Sequence, residues 1–249
     1  VTGGFASSTL DLGALTLEGG SGLSDVFAAK VSAEGVVEWA THAGTEGHDE
    51  GMSIAVDTEE PCVYVAGTCQ GSSCWPGQVW NAQGADSYGF VVRLNRQSGE
   101  PEWVATHSGL GLHTGRALAA APGGGVYLLA TFQYTATWAP DGRRVGAAGG
   151  RGTDLLLARL TPAGALEWVV TGGAPESSTS GLTPPPELAQ SLALDESGGE
   201  HSILVAGSLY SPAGAADVAF GDRTVRTAGT YDAFYARVSP DGEVEWLVS

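Results

Sequence analysis

The sequence predicts an all-β fold built from four repeats of one antiparallel unit, and two observations lead to this prediction. One cassette occurs four times: a basic residue in an apolar stretch, then a Gly four residues before a Trp, with a Glu directly before that Trp. Apolar and polar residues alternate around each cassette, which is the period of a strand rather than of a helix. Units that recur at near-constant spacing bury their apolar faces on one another, so the cassette predicts a repeat architecture. The repeated residues are Lys30, Arg93, Arg159 and Arg237 with Trp39, Trp103, Trp168 and Trp246.

Each cassette is expected to form a hairpin. In the first copy, residues 25–32 form one strand, residues 33–35 a tight turn and residues 36–41 the returning strand. The third and fourth copies have Thr-Pro-Ala-Gly at 161–164 and Ser-Pro-Asp-Gly at 239–242. Both are typical turn sequences, because proline fixes φ and glycine accepts a positive φ.

A second pair of strands precedes the later hairpins. An extra segment with a central turn follows it, and predicts a small additional hairpin at the outer part of each unit. Four strands per unit of this length are typical of a β-propeller blade. The paired strands cover residues 53–57 with 62–67, 117–121 with 126–130 and 191–195 with 203–207, and the extra segments include residues 10–17 and 218–225.

The predicted fold class is therefore an all-β, β-propeller fold of four-stranded antiparallel blades, with one domain over residues 1–249. About four blades are expected, and four is few for a closed ring of blades. Residues 1–3 align with residues 65–67, so the first blade lacks its innermost strand, and we expect a fragment of a larger propeller. The repeat units are roughly 1–44, 45–109, 110–173 and 174–249.

The order of motifs resembles a bacterial β-propeller repeat family called SBBP-type, over essentially the whole chain. The motifs are Ser-Ile-Ala-Val-Asp (53–57), Val-Tyr-Val-Ala-Gly (63–67), an insert, Asp-x-Phe-x-Ala-Lys (25–30), Gly-x-x-x-Trp and Gly-Gly. The resemblance implies a propeller, but the family is largely uncharacterised and it implies no particular activity. The third unit departs by having Ala120 and Ala121 where the first strand of the others ends in Asp57 and Asp195, so it should lack the turn contact made by the Asp.

Composition excludes some classes of partner. The net charge is −17, with 28 acidic against 11 basic residues. A nucleic-acid partner is not expected, because binding phosphates requires a basic footprint, and an anionic membrane surface is disfavoured for the same reason. The sequence has no run of about 18 apolar residues, so no transmembrane segment is predicted. The acidic residues form a solvated surface, or some of them converge on a cation.

Three cysteines fall within one unit. Cys69 and Cys74 flank four residues, so a disulfide closing that turn is sterically reasonable, and Cys62 starts a strand as a buried free thiol. A zinc site would need a fourth ligand. A disulfide predicts a secreted, periplasmic or cell-surface protein of bacterial type.

The connections from an outer strand to the next inner strand contain the candidate site. Two of them hold His-x5-His, whereas the third, residues 171–190, has no His. In propellers these connections reach the mouth of the central channel, where imidazole and carboxylate groups could bind a divalent metal. Alternatively, two neighbouring repeats share ancestry and the histidines are exposed loop residues. The candidate ligand-binding residues are His42, His48, Asp49, Glu50, His107, His113 and Arg116.

The repeated tryptophans could stack on a sugar or a quinone, but a residue at one fixed place in every unit is expected to pack against the next unit. The repeated basic residues are expected to pair with the adjacent-strand glutamates. These pairs would be Lys30 with Glu38, Arg93 with Glu102, Arg159 with Glu167 and Arg237 with Glu245.

No familiar catalytic motif occurs in the chain. The first hypothesis is a non-catalytic extracellular or cell-surface scaffold that binds a protein or glycan partner. The alternatives are a propeller enzyme, either glycan-active or a quinone-dependent oxidoreductase, and a lectin-like sugar binder with equivalent sites between blades. Residues 95–103 superficially resemble the Thr-Gly-Lys-x-x-x-Trp repeats of the quinone enzymes, but no Ca²⁺ ligand set accompanies them. The remaining blades would come from a longer chain or a second copy.

Overall fold

The computed structural model describes residues 1–20, 22–71, 74–75, 87–146, 153–173, 188–210, 217–229 and 231–249. Every regular element in these ranges is a strand, and none of them contains a helix able to cross a membrane. The all-β prediction is confirmed. The strands are β1 Thr2–Phe5, β2 Thr9–Asp11, β3 Thr16–Glu18, β4 Asp25–Val31, β5 Val37–Ala43, β6 Glu50–Val56, β7 Cys62–Cys69, β8 Tyr88–Asn95, β9 Pro101–Ser108, β10 His113–Ala120, β11 Val126–Gln133, β12 Thr135–Ala139, β13 Arg144–Gly146, β14 Thr153–Leu160, β15 Leu166–Gly173, β16 Leu188–Asp195, β17 Ser202–Tyr210, β18 Asp217–Phe220, β19 Arg223–Arg226, β20 Tyr231–Val238 and β21 Val244–Val248.

Four antiparallel sheets correspond to the four sequence repeats. The second, third and fourth units contain β6-β7-β8-β9, β10-β11-β14-β15 and β16-β17-β20-β21, paired in that order. The main sheet of the first unit consists of β1-β4-β5, so within the described residues it lacks the strand that opens the other units, as expected. No closed ring of sheets is present in the described part of the chain.

The additional hairpins of the first, third and fourth units are present, whereas the insert of the second unit lies mostly outside the described residues. The hairpins of the third and fourth units extend the sheet of the preceding unit rather than their own. β12 pairs with β9, and β18 pairs with β15, so two of the sheets have six strands. The outer strand of a unit is a sheet edge with unpaired backbone groups, which the hairpin of the next unit satisfies. The hairpin β2–β3 forms a separate two-stranded sheet.

The core lies between consecutive units. One apolar cluster joins the first and second units, another the second and third, and a third the third and fourth. Each sheet is therefore buried on the faces that meet a neighbour, as expected for stacked repeats. Representative residues of the three clusters are Val26, Val65 and Phe90, then Tyr64, Leu128 and Leu156, then Leu157, Val205 and Phe234.

Each of the first three repeated tryptophans forms a hydrogen bond to the next unit. The indole Nε1–H groups of Trp39, Trp103 and Trp168 donate to the carbonyls of Arg96, Pro162 and Pro240, at 3.0, 2.9 and 2.9 Å. These carbonyls belong to the hairpin turn of the following cassette. The packing role expected for the repeated Trp is confirmed for Trp39, Trp103 and Trp168, whereas Trp246 is exposed in the described chain.

The repeated Gly of the cassette is required by packing between units as well as by the conformation of its turn. Gly99 has a φ of +74°, and a Cβ there would lie 2.5 Å from the Trp39 ring. Gly164 and Gly242 lie against Trp103 and Trp168 in the same way. The Trp of one unit therefore requires the Gly of the next, a pairing that the sequence pattern contained but that turn chemistry alone did not indicate.

The predicted ion pairs are confirmed in all four units. They join adjacent strands at the rim, where such pairs add little stability each. The distances are 2.5 Å for Lys30–Glu38, 2.9 Å for Arg93–Glu102, 2.6 Å for Arg159–Glu167 and 2.8 Å for Arg237–Glu245.

The first turn of the third unit differs as expected. Asp57 and Asp195 accept backbone N–H groups of their turns through Oδ1, whereas Ala121 cannot. Three consecutive glycines with positive φ, residues 123–125, form the turn after Ala121.

Candidate functional site

The candidate site is built on the first strands of the last three units. β6 contacts β10, and β10 contacts β16, so these strands lie side by side. Each contains a β-bulge at the same place, where Met52, Arg116 or Gln190 is the extra residue that opposes no partner. A bulge releases a side chain from the regular alternation and is common beside binding sites. We call Met52, Arg116 and Gln190 the bulge residues.

The residue before each bulge is small because the strand lies directly on the preceding unit. A Cβ on Gly51 would be 2.2 Å from Thr2 Oγ1, and a Cβ on Gly115 would be 3.1 Å from the Cβ of Ala66. Ala189 holds this position in the fourth unit and is buried. The sequence signal for the bulges is a small residue, a large one and a small one, which the predictions from sequence did not include. It occurs as Gly-Met-Ser, Gly-Arg-Ala and Ala-Gln-Ser.

Arg116 is the chemically distinctive bulge residue. Its side chain is half-buried, its Nε is buried without a hydrogen-bond partner, and no carboxylate of the described residues lies within 4.0 Å of it. Burial lowers the pKa of the Arg116 guanidinium, and the charge of Glu50 opposes that shift. A buried donor without a partner costs free energy, so this guanidinium gains from an added acceptor.

Asp49 is a structural neighbour of the disulfide. It is fully buried and accepts hydrogen bonds from the Gln70 N–H at 2.8 Å and from the Thr45 hydroxyl at 2.9 Å. Burial raises the pKa of Asp49, and these hydrogen bonds oppose that shift. Its carboxylate lies within 4.8 Å of the sulfurs of Cys69 and Cys74, but those sulfurs are bonded to each other and offer no thiolate to a metal.

His42 and His48 lie on the first unit and the loop that follows it. His48 is exposed, and its Nδ1 lies 2.9 Å from the Ser24 hydroxyl. His42 is half-buried, with its ring edge-on to Phe5 at 6.3 Å between centroids. Neither ring joins the histidines of the next connection.

His107 and His113 form a buried pair. Both side chains are fully buried, with ring centroids 5.6 Å apart, and the His107 ring lies 5.3 Å from Trp138. His113 Nε2 donates to the Leu110 carbonyl at 3.3 Å, whereas neither nitrogen of His107 has a partner among the described residues. Burial lowers the pKa of His107 well below its usual range and that of His113 to about 4. Both rings are therefore neutral near pH 7.

The two His-x5-His segments are not structurally equivalent. His42 pairs with Phe27, but the corresponding Phe90 pairs with Thr106, and His107 lies one residue further along its strand. A shift of one residue places a side chain on the other face of a sheet. Of the seven candidate residues, the structure brings His107 to His113 and Glu50 near Arg116. His42 and His48 instead contact Phe5 and Ser24.

The predicted disulfide between Cys69 and Cys74 is confirmed, and Cys62 is a buried free thiol as expected. Reduction of the disulfide is expected to lower the free energy of unfolding by about 2 kcal/mol, because the short loop gains freedom in the unfolded chain. Urea unfolding with and without a phosphine reductant measures this. The control is Cys62→Ala, which keeps the bridge and should respond to reductant as wild type does. An unchanged midpoint on reduction would contradict the expectation.

No protein-family model matches the chain, and no curated protein is significantly similar to it. The resemblance to SBBP-type repeats therefore rests on the order of the sequence motifs alone.

Proposed function

We propose that the chain is an arc of a β-propeller, of the SBBP-type repeat class, that acts as a non-catalytic scaffold and binds a protein or glycan partner at the bulge residues. Stacked four-stranded antiparallel sheets with their first strands side by side are the arrangement that blades have around a propeller axis. The Cys69–Cys74 disulfide is compatible with an oxidising compartment and supports a secreted or cell-surface location in bacteria.

One observation carries the binding proposal. The bulge backbone recurs in three units, whereas the side chain at the bulge changes from Met52 to Arg116 to Gln190. Packing fixes the small residue before each bulge, so the bulge is the place in the inner strand where the side chain is free to vary. A surface that combines an apolar group, a guanidinium and an amide suits a partner with hydroxyl and carboxylate groups.

Binding is favoured over catalysis by the state of the titratable groups. A general acid or base must reach the reacting atoms. The Asp49 carboxylate accepts hydrogen bonds from Thr45 and Gln70, and the side chains of His107 and His113 are fully buried. A lectin with equivalent sites would carry the same polar residue in every unit. The three bulge residues differ from one another, so they do not support this alternative.

Replacement of Arg116 tests the proposal. We expect wild type to bind members of a panel of uronic-acid glycans and acidic peptides, and Arg116→Gln to bind the same members at least about tenfold more weakly, because the guanidinium–carboxylate contact is lost. Calorimetry or surface plasmon resonance measures this. The control is Arg226→Gln, which removes an exposed arginine that pairs with Asp217 on the outer hairpin. Equal affinities of the Arg116→Gln variant and wild type would contradict the proposal.

A further inference from the structure

We propose that reduction of the Cys69–Cys74 disulfide creates a buried site for one zinc ion, with the two cysteine thiolates and the Asp49 carboxylate as ligands. The two sulfurs and one carboxylate oxygen already lie within 4.8 Å of one another. In the oxidised protein the sulfurs are bonded to each other, so the site belongs to the reduced form alone. The proposal does not depend on the binding role of Arg116.

The spacing of these atoms suits a tetrahedral ion. Zn–S bonds are about 2.3 Å long and Zn–O bonds about 2.0–2.2 Å, so two ligands of one tetrahedral ion lie about 3.5–3.8 Å apart. Once the S–S bond is broken, the sulfurs of Cys69 and Cys74 need only separate to this distance. Two thiolates and a carboxylate leave one position for a water molecule, as in other zinc sites with three protein ligands.

Packing holds both cysteines in place independently of the bond between them. Cys69 lies in β7 and pairs with Tyr88 of β8, and both residues are buried. Cys74 precedes Trp75, whose buried ring packs edge-on against Phe90 with centroids 5.9 Å apart. All five residues belong to the apolar cluster between the first and second units. We therefore expect the two thiols to stay close together after reduction.

The Asp49 carboxylate is oriented by its neighbours. Its Oδ2 accepts hydrogen bonds from the N–H and the hydroxyl of Thr45, and its Oδ1 accepts one from the Gln70 N–H at 2.8 Å. A carboxylate offers about four lone pairs, so one remains on Oδ1. Hydrogen bonds of this kind fix the direction of a ligating carboxylate. Because Gln70 directly follows Cys69, the same short segment positions the carboxylate and one of the two sulfurs.

The charge of Asp49 favours a cation at this place. Asp49 is fully buried, and no basic side chain of the described residues lies within 4.0 Å of its carboxylate. The neighbouring charge that acts on it is that of the buried Asp25, which has the same sign. A buried carboxylate without a counterion is unfavourable, and a divalent ion offsets that penalty. Two thiolates select Zn²⁺ over Ca²⁺ and Mg²⁺.

A dithiol is the reductant. One of its thiolates attacks a sulfur of the Cys69–Cys74 bond, and its second thiolate then attacks the mixed disulfide, so the dithiol closes to a cyclic disulfide. Two electrons and the two protons of the dithiol pass to the cysteine sulfurs. Binding of Zn²⁺ then releases two protons, one from each cysteine thiol. Exchange with an oxidised dithiol reverses the reaction and removes both thiolates from the ion, so zinc binding depends on the redox state of the pair.

The test compares metal binding by the reduced and oxidised forms of the protein. The chain is produced in a reducing cytoplasm and kept in dithiothreitol, which is removed under nitrogen before metal is added. Mass spectrometry after alkylation in denaturant confirms three thiols in the reduced form and one in the oxidised form. Co²⁺ is the probe, because thiolate ligands give it charge-transfer absorption and tetrahedral geometry gives it intense visible bands. Zn²⁺ is then added in competition.

We expect reduced wild type to bind one Co²⁺ per chain with both absorption features, and Zn²⁺ to displace it. The double variant Cys69→Ser/Cys74→Ser should lose the charge-transfer absorption. Asp49→Asn should keep this absorption but bind at least about tenfold more weakly, because one ligand is lost. The control is Cys62→Ala, which removes the thiol at the opposite end of β7 and should bind as wild type does.

The proposal would be overturned by reduced wild type without charge-transfer absorption, by oxidised wild type with it, or by its loss in Cys62→Ala. Equal affinities of Asp49→Asn and wild type would remove Asp49 from the site and overturn the proposal as well. Circular dichroism checks the fold of each form, and loss of β structure on reduction would also contradict the proposal, because the site depends on the fold. The double cysteine variant keeps the test decisive if Asp49→Asn does not fold.

Discussion

Replacement of Trp39 with alanine is expected to lower the free energy of unfolding by about 3–5 kcal/mol, whereas the same replacement at Trp246 is expected to lower it by no more than about 1 kcal/mol. The two residues hold the same place in the repeat. Trp39 is buried between two units and donates to the Arg96 carbonyl at 3.0 Å, whereas Trp246 covers no unit within one copy. Urea unfolding followed by circular dichroism at low protein concentration measures both losses. Equal losses would contradict a stabilising role of Trp39 between the first and second units.

The partner glycine provides a sharper check of the same junction. Gly99→Ala should destabilise wild type, because its Cβ would lie 2.5 Å from the Trp39 ring. In the Trp39→Ala background the ring is gone, and only the backbone strain of a positive φ remains. The two substitutions should therefore be non-additive. The double variant should lose less free energy of unfolding than the two single variants lose together. Additive losses would mean that Gly99 acts only through its turn.

The parts of the fold that were predictable from sequence are those that depend only on residues within one unit. Alternation fixes which residues of a strand share a face, and Pro-Asp-Gly fixes a turn, so the cassette hairpin follows from residues 231–249 alone. The recurrence of a Trp at one fixed place in every unit also indicated that Trp168 packs against the next unit. Arg237 lies opposite Trp246 across that hairpin, and its guanidinium reaches Glu245, the residue directly before that Trp.

The partner of each additional hairpin was not predictable. Residues 217–226 indicate two short strands and a turn, but strand propensity does not say which sheet edge they join. The choice of β15 over the unit's own sheet depends on where the neighbouring edge lies once the units are stacked. That position is a property of the whole array rather than of the segment.

The candidate site was only partly predictable, because sequence spacing does not fix the pairing register. His42 and His107 begin the same His-x5-His spacing, but one residue of offset places His42 beside Phe5 and His107 inside the core. The bulge at Arg116 is likewise defined by its pairing with β11, which the residues of β10 do not reveal. Glu50 and Arg116 were named from their loops, and their mutual influence appears only when β6 and β10 lie side by side.

Acidification is expected to destabilise the protein through His107 and His113. Burial lowers the pKa of both rings, to about 4 for His113 and well below the usual range for His107. An unfolded histidine titrates near pH 6.5, so below that pH the unfolded chain binds more protons than the folded one. The free energy of unfolding then falls by about 1.4 kcal/mol per pH unit for each ring. At about pH 5, His113 alone accounts for a loss of about 2 kcal/mol, and His107 adds to it in the same direction.

The variants His107→Leu and His113→Leu isolate this effect. Each should reduce the slope of unfolding free energy against pH by about 1.4 kcal/mol per pH unit between about pH 6 and pH 5, which corresponds to one proton. Urea unfolding at several pH values measures the slope, and a change in absolute stability from repacking does not alter it. The control is His48→Leu, since His48 is exposed and bonded to Ser24. Asp49, whose pKa is raised by burial, contributes with the opposite sign but equally in all variants. The slope is therefore a direct measure of whether the two rings stay neutral inside the core, and a wild-type slope in both core variants would show that they do not.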